Sequence, residues 1–252
     1  MNAKIAQIEI NGIPKYLEEI KKLSVAKPKL WFRGLRRITN ALEPSIYRLP
    51  FDPSYEKQFL TKFKTRAIPF LESNPSDNYW EWLFLMQHHG VPTRLLDWSE
   101  SALQALSLAI IFREDKHVGL DAAVWCLDPI KLNDYVKITP EEKLPIPNII
   151  DNQPASQLYS SEYDIEYPIA ITGPFNNARI AAQKGMFTLF PLKKVQSLEE
   201  KEKADEFLTL FKIKKEDVES IKEQLFLLGV TEASIFPDLD HLAKEIKREF
   251  KP

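Results

Sequence analysis

The first regular pattern in the chain is helical. From Lys15 to Leu23 apolar residues recur at near-helical spacing. Pro28 then ends the approach to Lys29-Leu30-Trp31-Phe32-Arg33-Gly34, which reads as a short strand running into a glycine turn. Tyr55 to Phe70 sets Phe59, Phe63, Ala67 and Phe70 three or four residues apart, the spacing of one helix face. Pro69 and the Asn74-Pro75-Ser76-Asp77 cluster close that helix. A second helix, opened by Asp77 or Asn78 as N-cap, is predicted through Tyr79 to His89 and stops at Gly90 and Pro92.

Thr93-Arg94-Leu95-Leu96-Asp97-Trp98-Ser99 follows. In an extended segment Thr93, Leu95 and Asp97 share one face, and Arg94 and Leu96 the other. Ser99 is placed to cap an apolar helix from Glu100 to Phe112, and Ala122 to Leu127 reads as a buried strand. The proline-rich passage from Asp128 to about Pro174 is long for a simple loop and is expected to form a lid or to wrap the domain. Asn176 to Gly185 predicts a helical turn and Met186 to Phe190 a strand, while charged Lys193 to Glu206 predicts an exposed connection. Lys215 to Leu228 and Asp238 to Phe250 are amphipathic helices, the second capped by Asp238 or Asp240. This succession predicts an α+β fold, a mixed central sheet flanked by helices. Residues 1–24 form an N-terminal helical lead-in, 25–192 the main domain, and 193–252 a C-terminal helical extension of the same globule.

A chain of 252 residues can bury a core without staples, and its single cysteine, Cys126, cannot close an internal disulfide. Its apolar surroundings suit a buried thiol better than a reactive one. Met1 to Ile10 lacks the pattern of a secretory signal, and the longest apolar helical run, Ala102 to Phe112, falls short of the roughly 20 residues of a membrane span. A soluble, cytoplasmic chain with no membrane partner is expected. A net charge of −2 argues against coating nucleic acid through bulk electrostatics. Basic residues nevertheless outnumber acidic ones up to Asp97, which would draw an anionic ligand to that half.

Arg33 offers a planar fork of donors for a phosphate or carboxylate, and Gly34 would let a ligand approach the backbone. A salt bridge from Arg33 to Asp97 is the structural alternative. His88 and His89 point about 100° apart on a helix, so at most one faces a small ligand. Such a histidine serves as general acid or base, as donor to a ribose hydroxyl, or simply as a C-terminal cap. Thr93, Arg94 and Asp97 are the densest polar cluster, with Asp97 also able to hold an arginine or cap the following helix. The histidines lack zinc-site spacing, so no metal is expected. There is no Gly-rich phosphate loop, nucleophile elbow or kinase signature.

Trp31-Phe32-Arg33-Gly34, the block from Gln87 to Ser99, and Arg179 with Gln183-Lys184-Gly185-Met186-Phe187-Thr188 together resemble the FRG domain across about residues 25 to 190. Glu232 to Leu239 is similar to that family's C-terminal stretch. FRG domains have largely been described as of unknown function, often in bacterial and phage-associated proteins, so the name implies little chemistry. A fainter likeness to ADP-ribosyltransferases of the arginine-serine-glutamate type implies NAD as cofactor. In that comparison Arg33 grips the phosphate or ribose, Thr93 to Ser99 borders nicotinamide, and Gln183 stands where the catalytic glutamate would be. A neutral amide keeps the hydrogen bond but loses the charge. Either Asp97 or Glu100 supplies it, or the domain binds a nucleotide without turning it over.

The expectation is that these residues converge on one cleft for a nucleotide-like small molecule. Gln183, Asp97 and His88 are the candidate catalytic residues, and Arg33, Gly34, His89, Thr93 and Arg94 the candidate ligand contacts. The implied activity is ADP-ribosyl transfer to an unknown macromolecular acceptor, or NAD cleavage, in a toxin or a phage-defence protein. One alternative is a non-catalytic module binding a nucleotide or phospho-ligand, with its C-terminal helices mediating assembly. The other is a nucleic-acid-associated protein, suggested by Arg33, Arg36 and Arg37.

Overall fold

Apolar strands flanked by amphipathic helices assemble into one mixed sheet. The computed structural model describes residues 4–48, 50–71, 78–136, 146–147, 165–173 and 185–250. Among them are the strands β1 (Ala6–Ile10), β2 (Trp31–Leu35), β3 (Leu95–Ser99), β4 (Ala122–Leu127), β5 (Ile169–Thr172), β6 (Gly185–Leu189) and β7 (Leu208–Ile213). The helices are α1 (Ile13–Ala26), α2 (Glu56–Ala67), α3 (Tyr79–His88), α4 (Ala102–Ile110), α5 (Pro129–Tyr135), α6 (Ala204–Phe207), α7 (Val218–Leu227), α8 (Glu232–Ile235) and α9 (Leu239–Glu249). The strands lie in the order β1-β7-β4-β2-β3-β6-β5. Only β1 and β7 run parallel; the other neighbours are antiparallel.

β4 is buried at every position, because it sits inside the sheet with both faces covered. Its alternation sorts the core into two layers. Ala123, Trp125 and Leu127 join Trp31, Leu35, Leu96, Trp98 and Phe190 on one face, packed under Leu42, Ile46, Tyr47, Leu198 and Phe207. Ala122, Val124 and Cys126 face the other way, with Phe32 and Phe211 against α1, α4 and α7. Farther along that second face, α3 lays Trp80, Leu83 and Phe84 on Leu95, Ile171 and Phe187. The second face is therefore covered by two separate groups of helices. Burial pushes the Cys126 thiol up to about 12, which keeps it protonated and inert.

α4 approaches β2 more closely than a side chain would allow. A Cβ at Gly34 would lie 1.9 Å from the Ala105 carbonyl oxygen, so this glycine admits the helix backbone. That side of Gly34 is filled by the α4 backbone.

Several boundaries differ from the pattern-based expectation. α4 begins at Ala102 and is capped by Ser101, whose hydroxyl accepts from Gln104 N. Ser99, the expected cap, is held in the sheet by pairing with Phe32 and Gly185. α2 ends at Ala67, and a single 3-10 turn, Ile68–Phe70, carries Phe70 out to solvent. The charged stretch around residues 193–206 is a packed connection, with Ser197 and Glu200 forming a capping box over buried Leu198. The expected caps Asn78 and Asp238 both accept from backbone N–H groups of their helices. Strands β1, β5 and β7 had no counterpart in the sequence reading. The chain segments on either side of the main domain thus contribute β1 and β7 to the sheet. No helix among the described residues is long and apolar enough to cross a membrane.

Candidate functional site

The sheet is continuous except between β2 and β3. β2 pairs with β4 at five positions and β3 pairs with β6 at five, but β2 and β3 meet only at Phe32 and Ser99. Toward Gly34 on one strand and Asp97 on the other the ladder stops. Arg33 occupies this seam. Its Nη1 donates to the Asp97 carbonyl at 2.6 Å and stands 3.8 Å from Asp97 Oδ2. A side-chain donor thereby takes up a strand carbonyl that the ladder leaves free. Among the described residues the Arg33 Nε is buried and has no partner.

Asp97 is fixed from the other side by the end of α3. Gln87 Nε2 donates to Asp97 Oδ2 at 2.7 Å, and Gln87 Oε1 accepts from the Thr93 hydroxyl at 2.5 Å. The Thr93 oxygen accepts from Leu95 N, while Thr93 N donates to the Ser45 hydroxyl. A chain of polar contacts thus runs from Arg33 through Asp97 and Gln87 to the fully buried Thr93. Gln87 is the essential link, and the sequence reading did not place it among the candidates. Its signal was its position on the last turn of a helix that ends beside a polar strand.

The electrostatics favour an anion. Burial presses the Arg33 pKa down to about 10; Asp97 opposes that fall, while the Arg48 guanidinium adds to it. Arg33 therefore stays cationic at neutral pH, with a second cation close enough to repel it. Its side chain is 18 % exposed and that of Asp97 is 53 % exposed, so the seam opens to solvent at its polar end. Arg48 is exposed, with Nη2 donating to the Glu43 carbonyl. It comes from a 3-10 turn far from any motif, and nothing in the sequence signalled it.

The other candidates are distributed differently. Arg94, adjacent to Thr93, is fully buried. Its Nε lies 3.2 Å from Glu56 Oε2, its backbone N donates to Glu56 Oε1, and its guanidinium stands 5.8 Å from the centre of the Trp80 ring. Tyr79 donates its hydroxyl to the same carboxylate at 2.8 Å. Arg94 thus ties α2 and α3 to the start of β3. His89 caps α3 and lies against Phe63 of α2, while the His88 ring packs edge-on against His89. Arg36 pairs with Glu114 and Arg37 bonds Asn40, so both are engaged locally. Glu100 is exposed just beyond Ser99. Gln183, Arg179 and the helical turn expected around them lie outside the described residues, as does most of the proline-rich passage. Among the described residues no cluster of His, Cys, Asp and Glu is arranged to hold a metal ion.

The fold and the seam define an α+β domain whose motif arginine closes a break in a central sheet. The chain contains an FRG domain: the model of that family matches residues 28–117, which span β2, β3, α2, α3 and α4. Both sides of the seam fall inside the match. Comparison with curated proteins and with solved structures found no match.

Proposed function

We propose that the solvent-facing end of the Arg33–Asp97 seam borders a nucleotide-accepting cleft in which Arg33 grips a phosphate, with NAD the ligand to which the ADP-ribosyltransferase resemblance leads. The observation that carries this reading is the Arg33 guanidinium set against half-exposed Asp97 at the only interruption in the described sheet. An incoming phosphate offsets the positive charge of Arg33 and offers its guanidinium charge-assisted hydrogen bonds.

In the catalytic form of this reading, the bond between nicotinamide and ribose breaks and its electron pair goes to the nicotinamide nitrogen. The ribosyl cation is captured by water, or by an acceptor side chain that loses its proton. Asp97, oriented by Gln87, supplies negative charge beside that cation. The pairing of Asp97 with Gln87 and Arg33 favours a second reading, in which the domain binds the nucleotide without cleaving it. A carboxylate already partnered on two sides has less charge to offer.

Calorimetric titration with NAD and ADP-ribose, alongside chromatography for released nicotinamide, tests both readings. Arg33→Ala is expected to weaken binding by about a hundredfold, as loss of a charge-assisted, partly buried contact does. Unchanged affinity in a folded Arg33→Ala protein would overturn the cleft. Nicotinamide release that disappears in Asp97→Asn while binding persists supports catalysis. Binding without any release supports the module.

A further inference from the structure

Helix α9 is built with its polar side inward. Where it meets the globule, it does so through His241, Glu245 and Arg248. The His241 ring packs against Phe236 and Phe112, Glu245 accepts from Ala233 N, and Arg248 pairs with Glu232 and stacks 3.8 Å over the Phe226 ring. These three positions recur at helical spacing and form one face. Leu239, Leu242, Ile246 and Phe250 recur at the same period on a different face, and they are 82, 43, 46 and 83 % exposed. No residue of α9 is buried. An amphipathic helix normally turns such a stripe to the core. Here the molecule presents it to solvent, and a contiguous apolar stripe is characteristic of an interaction surface.

We propose that α9 is a dimerisation element, pairing antiparallel with α9 of a second copy of this chain about a two-fold axis. The stripe is close to self-complementary on reversal: Leu239 meets Phe250 of the second copy, and Leu242 meets Ile246. Asp240 and Lys247 lie two turns apart on the same flank and are both exposed. Reversal sets each Asp240 beside Lys247 of the other copy, so one contact is made twice, as a two-fold interface requires. Antiparallel alignment also opposes the helix dipoles favourably. Both copies together would cover on the order of 1,000 Å², at the lower limit for a stable interface, so the dimer forms reversibly with concentration. An anionic membrane suits the helix less well, because Lys244, Lys247 and Arg248 are balanced by Asp240, Glu245 and Glu249.

Sedimentation velocity of the full chain from about 1 to about 100 μM tests the pairing. The wild type is expected to move from monomer to dimer across that range. Ile246→Glu should raise the dissociation constant by roughly tenfold or more while leaving the circular dichroism spectrum unchanged, because the position is half exposed. Asp240→Lys alone should weaken the dimer, and Asp240→Lys with Lys247→Asp should restore it. A chain that stays monomeric throughout, or a dimer of undiminished strength in Ile246→Glu, overturns the proposal. Failure of the charge swap to restore association overturns the antiparallel arrangement. A monomer that floats with phosphatidylglycerol vesicles assigns the stripe to a membrane surface instead.

Discussion

At the scale of single residues, Arg33 and Arg94, both inside the matched segment, have opposite fates, and the difference lies in their partners. Arg33 and Arg94 look alike in sequence, each beside a strand and near a glycine or proline. Arg94 meets Glu56, a residue of α2 that is itself 1 % exposed, and the pair is sealed by Tyr79 and Trp80. Among the described residues Arg33 meets the carbonyl and, more distantly, the carboxylate of half-exposed Asp97. No periodicity in the chain signals that Glu56 and Arg94 find each other, because Glu56 begins an amphipathic helix as an ordinary first-turn acid. Removing one member of a buried pair strands the other charge in a dry interior. Glu56→Ala should therefore destabilise the fold by about 3–5 kcal/mol, read from urea unfolding, whereas replacing Glu56 and Arg94 together by leucine should recover much of that loss. A Glu56→Ala protein as stable as the wild type would show that the pair is not sealed from water.

Elements were legible where their pattern is unmixed. β4 is apolar at every position and was read with its observed limits, and α3, α7 and α9 were found because their stops are glycine, proline or a capping acid. β1 was missed because it is an edge strand whose polar residues face water, leaving only Ile10 buried. β5 is four residues long inside a proline-rich passage, and β7 sits between charged segments that dominate the local composition. Their identity as strands is set by neighbours distant in sequence: Ala6 to Ile10 is ordered by pairing with Thr209 to Ile213. The seam lay beyond the sequence for the same reason, since strand order decides where a ladder stops. The sequence marks Gly34 but not the backbone that packs against it. With the Ala105 carbonyl 1.9 Å from the position a Cβ would take, Gly34→Ala must push α4 off β2. Because the obstacle is backbone, the cost should reach or exceed the upper end of the roughly 1–3 kcal/mol typical of overpacking. A thermal melt compared with the wild type measures it, and an unshifted midpoint would mean that α4 is free to move.

The whole molecule is larger than the segment that carries its family signature. Residues 28–117 hold both sides of the seam, yet of the sheet they contain only β2 and β3, which share one paired position. The strands that flank them, β4 on one side and β6 on the other, come from later in the chain, and β4 is in turn held by β7. A fragment limited to 28–117 would keep α4 but lose Val124, Cys126, Phe211 and Ile221, against which that helix packs. Two strands joined at a single point with one face uncovered do not make an independently stable unit. The expected result for the isolated fragment is therefore an insoluble product, or a spectrum of poorly dispersed amide resonances. Truncation after Pro237 is the informative contrast, because it removes α9, none of whose residues is itself buried, and leaves every described strand in place. That shorter chain should melt within a few degrees of the full one, as expected when the lost contacts contribute about 1 kcal/mol or less. If the 28–117 fragment folded and bound nucleotide by itself, the seam would not need the surrounding sheet. The single pairing of Phe32 with Ser99 would then have to be far stronger than one step of a ladder.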